Sequence, residues 1–423
     1  MLERLDARVE AERDACVALA RALIAQPTVN PPGEAYEPCA RLLGDHLAAR
    51  GFAVRYERAE GAPGDSDRYP RLNVVARREG RSPGPTVHFN GHIDVVEVGT
   101  GWTVDPFAGV VRDGRLYGRG ACDMKGGIAA AVTAALCFVA ERPDHPGAIE
   151  ISGTVDEESG GYGGVAHLAR IGILARPRVD HVIIPEPLDV DRVCLGHRGV
   201  WWARLETHGR IAHGSMPFLG DCAVRHMGAV LERMERDLWP ALARRRTAMP
   251  VVPDGAAAAT LNVNAIHGGE AEGFDGLPAP NVPHSCRMTI DRRFLIEEQL
   301  EDVRGEMVAL LDGLRAERPG FRYSLTDVMT VKPTMTSADA STVQALDDAI
   351  RRVLGREPAH VASPGTYDQK HVARLGHIQD CVAYGPGRLE LAHQPDEFVV
   401  IDEMVQSAKV MARTVHALLT MPC

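Results

Sequence analysis

Five side chains able to bind a cation, His92, Asp123, Glu158, Glu186 and His393, are set against apolar, strand-like runs, and this placement narrows the fold more than any other feature. An open α/β sheet gathers its ligands just outside the carboxyl ends of its strands. The runs read VHF before GHID, ISGTV before DEE, HVII before PEP, and CVAYGPG before LELAH. His92, Glu158, Glu186 and His393 are therefore expected to converge at strand ends, while Asp123, in GRGACDMKGGIAAAV, is expected to open a helix. Two imidazoles and three carboxylates form a nitrogen and oxygen set that suits zinc in catalytic sites, and five ligands exceed what one tetrahedral ion uses. Two metals sharing a carboxylate are expected.

The chain has 423 residues, and single cores stop growing near about 250–300 residues, so two domains are expected. Residues 1–195 alternate helical and strand patterns, which implies an α/β sheet with covering helices. From residue 196 the order changes to β-α-β-β-α-β, the ferredoxin-like arrangement, through residue 331. Residues 332–423 resume the α/β pattern and carry His393, so the small domain reads as an insertion into a discontinuous large one. NPPG at 30–33 and the proline-rich stretch at 278–283 read as turns, and the loop at 61–67 is the one candidate for disorder.

Charge and cysteine usage exclude several function classes. The formal charge is −10, from 47 Lys+Arg and 57 Asp+Glu, with RRR at 244–246 as the one compact basic cluster. Nucleic-acid binding needs a basic face, so it is not expected. Nine cysteines without a CxxC pair fit reduced thiols in a cytoplasm. The charged, amphipathic N-terminal segment lacks a signal-peptide core, and VTAALCFVA is too short to span a membrane. A cytoplasmic protein without membrane partners is expected.

Each candidate ligand also carries a local argument. A ligating histidine needs its second ring nitrogen held by an acceptor, and Asp94, two residues after His92, is placed to be it. Glycines flank Asp123 and permit close backbone approach. Glu157 and Glu158 follow a buried strand, and adjacent side chains diverge. One carboxylate can therefore ligate metal while its neighbour reaches a water as general base. Glu186 follows HVIIP, where an unpaired carboxylate is costly.

Taken in order, GHIDVV, GRGACDMKGG, TVDEESGG, IIPEP and LAHQPDE resemble the motifs of the di-zinc amidohydrolases and exopeptidases that include acetylornithine deacetylase, succinyl-diaminopimelate desuccinylase, aminoacylase and glutamate carboxypeptidase. NPPG, IAHGSMP, GTYD and AYGPG extend the likeness over nearly the whole chain. The resemblance implies a zinc-exopeptidase-like α/β catalytic domain built on a mixed sheet, with an inserted ferredoxin-like α+β domain that serves as lid and dimerisation module. It implies that Asp123 bridges two Zn2+ ions, for which Co2+ or Mn2+ can substitute, with His92 and Glu186 on one and Glu158 and His393 on the other. Glu157 becomes the general base, Asp94 the partner of His92, and the Asp123–Met124 peptide is expected to be cis. His213 in IAHGSMP resembles a histidine that, in homodimers, supports the oxyanion in the partner's active site. Asn281, Arg293, Gly365 and Thr366 match positions that contact a substrate carboxylate.

Two departures touch no ligand: Glu97 and Ile296 stand where the family usually has proline. Glu186, where one branch generally has Asp, resembles the deacetylase and desuccinylase branch. The expected activity is hydrolysis of a small N-acyl amino acid or N-acyl amine by metal-activated water. The alternatives are a metallo-exopeptidase or dipeptidase, a deformylase of an N-formyl aminopyrimidine, and a catalytically silent binding homologue.

Overall fold

The computed structural model describes residues 1–251, 254–270, 273–277 and 279–420; Pro278, at the start of the proline-rich stretch, lies outside them. Two compact units emerge. The first comprises Met1–Gly196, Met335–Val361 and the residues from Tyr367 on, and the second comprises His197–Thr334 and Ala362–Thr366.

Among the described residues, nine strands form one mixed sheet. Its order is Ala53–Arg58, Leu72–Glu79, Pro146–Thr154, Ser82–His92, His181–Ile184, Cys381–Ala383, Arg192–His197 and Thr334–Met335, with Ala359–Ser363 also paired to Arg192–His197. Ser82–His92 runs parallel to both of its neighbours, and Cys381–Ala383 runs parallel to His181–Ile184. Four parallel strands thus end on one edge, each buried on both faces as parallel strands are. Val87 and Phe89 alternate with His88, Asn90 and His92 along the central strand, so one of its faces is apolar and the other is a buried polar row.

The helix Gly126–Glu141, GGIAAAVTAALCFVAE, is apolar on nearly every face and packs against Ile401–Thr420 and Arg13–Ile24. With the preceding turn, Ala121–Glu141 is the one helix among the described residues long and apolar enough to cross a membrane, and 89% of its apolar window is buried inside the protein. It is a core helix. The N-terminal segment forms two helices, Leu2–Ala11 and Arg13–Ile24, with the break at Glu12. The loop at 61–67 is tied by Asp65, whose carboxylate accepts hydrogen bonds from the Gly61 and Arg71 amides at 3.2 and 3.0 Å and pairs with Arg58 at 3.1 Å.

In the second unit, strands Thr260–Gly268, Ser285–Phe294, Gly199–His208 and Arg322–Val331 form an antiparallel sheet in that spatial order. Helices Ala223–Arg233 and Leu300–Glu317 complete the β-α-β-β-α-β order of a ferredoxin-like fold. Alternation explains its core: Trp201, Ala203 and Leu205 on one strand meet Cys286, Met288 and Ile290 on its neighbour. Val303, Met307, Leu311 and Leu314, at helical spacing, join the same core. Ala362–Thr366, outside the 196–331 interval, joins this unit through hydrogen bonds from the Ala362 amide to the Pro250 carbonyl and from the Arg198 amide to the Ser363 carbonyl.

Gly127 shows how tightly the core helix approaches the sheet. A Cβ there would lie 2.0 Å from the carbonyl oxygen of Pro185, the residue before Glu186. Alanine favours a helix by about 0.8–1.0 kcal/mol over glycine, whereas overpacking costs about 1–3 kcal/mol, and a backbone carbonyl cannot rotate aside. Gly127→Ala is therefore expected to lower the denaturant midpoint of the protein. An unchanged or raised midpoint would show that helix and strand end separate freely.

Candidate metal centre

The strand ends bring the predicted residues together by different routes. His92 is the last residue of strand Ser82–His92. Glu157 and Glu158 open a single turn, Glu157–Ser159, just after strand Pro146–Thr154, and Asp156 before it takes a left-handed φ of 64°. Glu186 lies two residues past strand His181–Ile184. Two residues depart from the sequence expectation. Asp123 sits in a π-type turn, Ala121–Lys125, with extended φ and ψ of −119° and 95°, and the regular helix starts only at Gly126. His393 stands well beyond the end of Cys381–Ala383, after the turn Leu389–Leu391, with φ 64°. The Asp123–Met124 peptide is cis.

Two donor groups share Asp123. His92, Asp123 and Glu186 form one, and Asp123, Glu158 and His393 the other, with the donor atoms of each group within 4.8 Å of one another. His92 Nε2 lies 3.1 Å from Asp123 Oδ1 and 4.0 Å from Glu186 Oε1. His393 Nε2 lies 3.5 Å from Asp123 Oδ2 and 3.1 Å from Glu158 Oε1. The two oxygens of Asp123 thus face different histidines. His92 Nδ1 is held by Asp94, but chiefly by its carbonyl oxygen, at 3.0 Å, with the carboxylate at 3.6 Å. That carboxylate is drawn to other donors: the Glu157 and Glu158 amides, each at 3.2 Å, and Asn30 Nδ2 at 2.9 Å.

Electrostatics mark the cluster as short of positive charge. Burial raises Glu186 well above the usual carboxylate range, and neighbouring Asp123 adds to it. Burial likewise pushes Glu158 up to about 7. Burial alone would lower His92, but hydrogen bonds to Asp123 and Asp94 outweigh it and raise the imidazole. Asp123 is drawn below its usual range, its burial outweighed by His393 and His92. Two imidazoles do not balance three buried carboxylates, and an uncompensated buried charge is costly. Cations at the two groups would restore the balance, and the mixed nitrogen and oxygen donors fit divalent metals of the zinc type.

Several residues that hold the site lie inside or next to the sequence motifs but were not singled out from sequence. Glu397, in HQPDEF, accepts hydrogen bonds from the Cys122 and Asp123 amides at 2.8 and 3.0 Å and pairs with Arg119 at 2.5 Å. Arg119 also donates to the Glu97 and Val98 carbonyls and to those of His393 and Gln394. Asn30, in NPPG, holds Asp94 and Ser159 rather than only making a turn. Lys370, just past GTYD, lies 3.3 Å from Glu157 Oε1. For Arg119 the available signal was a charged residue between two glycines just ahead of Asp123; the other three carried none. Cys122 is buried, and its thiol donates to the Arg388 carbonyl and is pushed well up by burial, so it is unsuited to nucleophilic work.

The remaining candidates belong to the second unit. The exposed His213 accepts hydrogen bonds at Nδ1 from the Ser215 amide at 3.2 Å, with the Ser215 hydroxyl at 2.7 Å. An amide can only donate, so the ring proton sits on Nε2. Asn281 bridges His213 through the backbone. Arg293 already binds the Asp291 carboxylate with Nε and Nη2, at 2.7 and 2.9 Å. The Gly365 amide donates to Ser363 Oγ at 3.2 Å, and Thr366 is half-buried beside it.

Comparison with known proteins fits this geometry. Residues 88–417 match the model of peptidase family M20/M25/M40. The chain belongs to that family. Among curated relatives, it is 30% identical over 411 residues to a succinyl-diaminopimelate desuccinylase of Azoarcus sp., covering 96% of this chain and 98% of the relative. Its fold is similar to that of human carnosine dipeptidase 1, with TM-score 0.75, 19% identity and 99% of both chains covered. It is also similar to that of a dinuclear metal-binding M20 peptidase of Bacillus subtilis, with TM-score 0.69, 16% identity, and 97% and 99% covered. These two likenesses concern fold alone.

For this M20/M25/M40 chain, the charge excess has a pH signature. Glu158 is raised from 4.5 to about 7, and His393 from 6.5 to about 10, the latter by hydrogen bonds to Asp123 and Glu158. Both groups hold protons more tightly folded than unfolded, so their contribution is complete below the unfolded values and is lost as pH rises through the folded ones. Asp123 is lowered and acts only in acid. Chelator-treated protein is therefore expected to lose melting temperature relative to metal-loaded protein as pH rises from about 5 to about 9. A gap independent of pH would contradict this reading of the cluster.

Proposed function

We propose that this protein hydrolyses the amide bond of a small N-acyl amino acid at a two-zinc centre. Asp123 would be shared by the two ions, with His92 and Glu186 holding one and Glu158 and His393 the other. The observation that carries this reading is the pair of donor groups sharing Asp123, with Glu157 directly beside one of them. Desuccinylase relatives that match along almost their whole length support the deacylase class and put N-succinyl substrates first.

Two zinc ions held there would polarise the acyl carbonyl and lower the pKa of a water. The protein supplies the rest. Glu157 takes the proton of the attacking water and returns it to the departing amine. Asp94 orients His92 and, by accepting the amides of Glu157 and Glu158, fixes the turn that carries both carboxylates.

The second unit supplies recognition in this reading. Asn281, Arg293, Gly365 and Thr366 bind a substrate carboxylate, and His213 offers its Nε2 proton to the oxyanion in the partner subunit of a homodimer. The apolar residues around His213 support a covered surface there: Ile211, Met216, Phe218 and Leu219 are exposed, Phe218 by 78%.

Amine release from N-succinyl, N-acetyl and N-formyl amino acids and from unblocked dipeptides, with and without chelator, tests the assignment. Chelator-sensitive turnover confined to acylated amino acids is expected, and turnover on dipeptides alone would overturn it. Glu157→Gln is expected to lower kcat by about 10²–10⁴ while metal content stays unchanged. Light scattering is expected to give a dimer, and a fully active monomer would remove the in-trans role of His213.

A further inference from the structure

Glu157 has a fixed backbone and a side chain held at one point. Its amide is bound by Asp94, and its turn is flanked by Asp156 and Gly160, with φ of 64° and 108°. The side chain beyond that has several rotatable bonds and would otherwise sample more than one rotamer. Among the described residues, the hydrogen bond that its carboxylate accepts comes from Lys370 Nζ, 3.3 Å from Oε1, and the two side chains are 5% and 11% exposed for Lys370 and Glu157. A buried ammonium needs such a partner, so the pair constrains both groups.

A second carboxylate stands near the same ammonium. Asp368 is 1% exposed, and its Oδ2 accepts a hydrogen bond from Asn90 Nδ2 at 3.0 Å while Oδ1 has no partner. Burial first, and then the charge of Glu157, push Asp368 up to about 7, and Lys370 opposes the rise. Asn90 is itself pinned: its Oδ1 accepts from Ser152 Oγ at 2.7 Å, Ser152 meets His88 Nε2 at 2.7 Å, and His88 Nδ1 meets Glu150 at 3.0 Å. Glu150 is paired in turn with Arg77 and Arg178. This buried row runs along the face of the strand that ends in His92. Through Asn90 and Asp368 it registers the start of helix Gln369–Arg374, and with it Lys370, to the sheet.

We propose that Lys370 is a positioning residue, holding the Glu157 carboxylate where it meets the attacking water, with the Asn90–Asp368 hydrogen bond fixing the segment that carries the lysine. This rests on Glu157 being the general base. A misplacement of about 1 Å can cost about 10²-fold in rate, so a reacting carboxylate gains from such a tether.

Three variants of the metal-loaded protein test it: Lys370→Met, Lys370→Arg and Glu157→Gln, with Lys370→Gln as a second charge removal should the Met variant not accumulate folded. Lys370→Met is expected to lower kcat by about 10–100-fold, with KM within about threefold and bound metal unchanged. Lys370→Arg is expected to recover most of that loss, and Lys370→Met is expected to add nothing in a Glu157→Gln background. The proposal is overturned by undiminished kcat in Lys370→Met, by a loss that tracks lost metal, by an Arg variant no better than Met, or by an equal further loss in the Glu157→Gln background. Full turnover in Glu157→Gln would instead remove the base assignment, and the role of Lys370 with it.

Discussion

The buried pair of Arg119 and Glu397 is the interaction on which the site depends. Their side chains are 1% and 0% exposed, and their hydrogen bonds reach into three stretches far apart in sequence. Arg119 holds the backbone after GHIDVV and the carbonyl of His393, while Glu397 holds the amides that lead into Asp123. Breaking a buried pair typically costs about 3–5 kcal/mol, because one charge is left without a partner. Here the charge left behind would also sit at the junction from which Asp123 and His393 approach each other. The sheet fixes where His92, Glu158 and Glu186 emerge, and the pair fixes the two ligands that strands alone do not deliver.

That division explains what could be read from the chain. Strand ends were legible because parallel strands are continuous apolar runs, as in HVII and ISGTV, and the second unit was legible because its residues alternate with period two and then recur at helical spacing. Local geometry was not. Asp123 was expected at a helix start, yet it lies in an extended kink whose form depends on Glu397, far along the chain. Asp94 was expected to hold His92 with its carboxylate, but two amides and Asn30 compete for that group and leave the carbonyl to do it. Long-range partners of this kind leave no spacing to read.

The two units carry different residues of the proposed site. The first carries every donor and the carboxylate beside them, in a polar interior organised around one strand face. The second carries His213, whose Nδ1 accepts from Ser215, and Arg293, whose Nε and Nη2 are engaged by Asp291.

The central claim is that three buried carboxylates and two imidazoles are arranged around two cations that share Asp123. Anomalous scattering from crystals of zinc-loaded protein tests it most directly. The account predicts two peaks about 3.5–4 Å apart with the Asp123 carboxylate between them. A single peak, or two peaks with Asp123 bound to neither or only one, would contradict it.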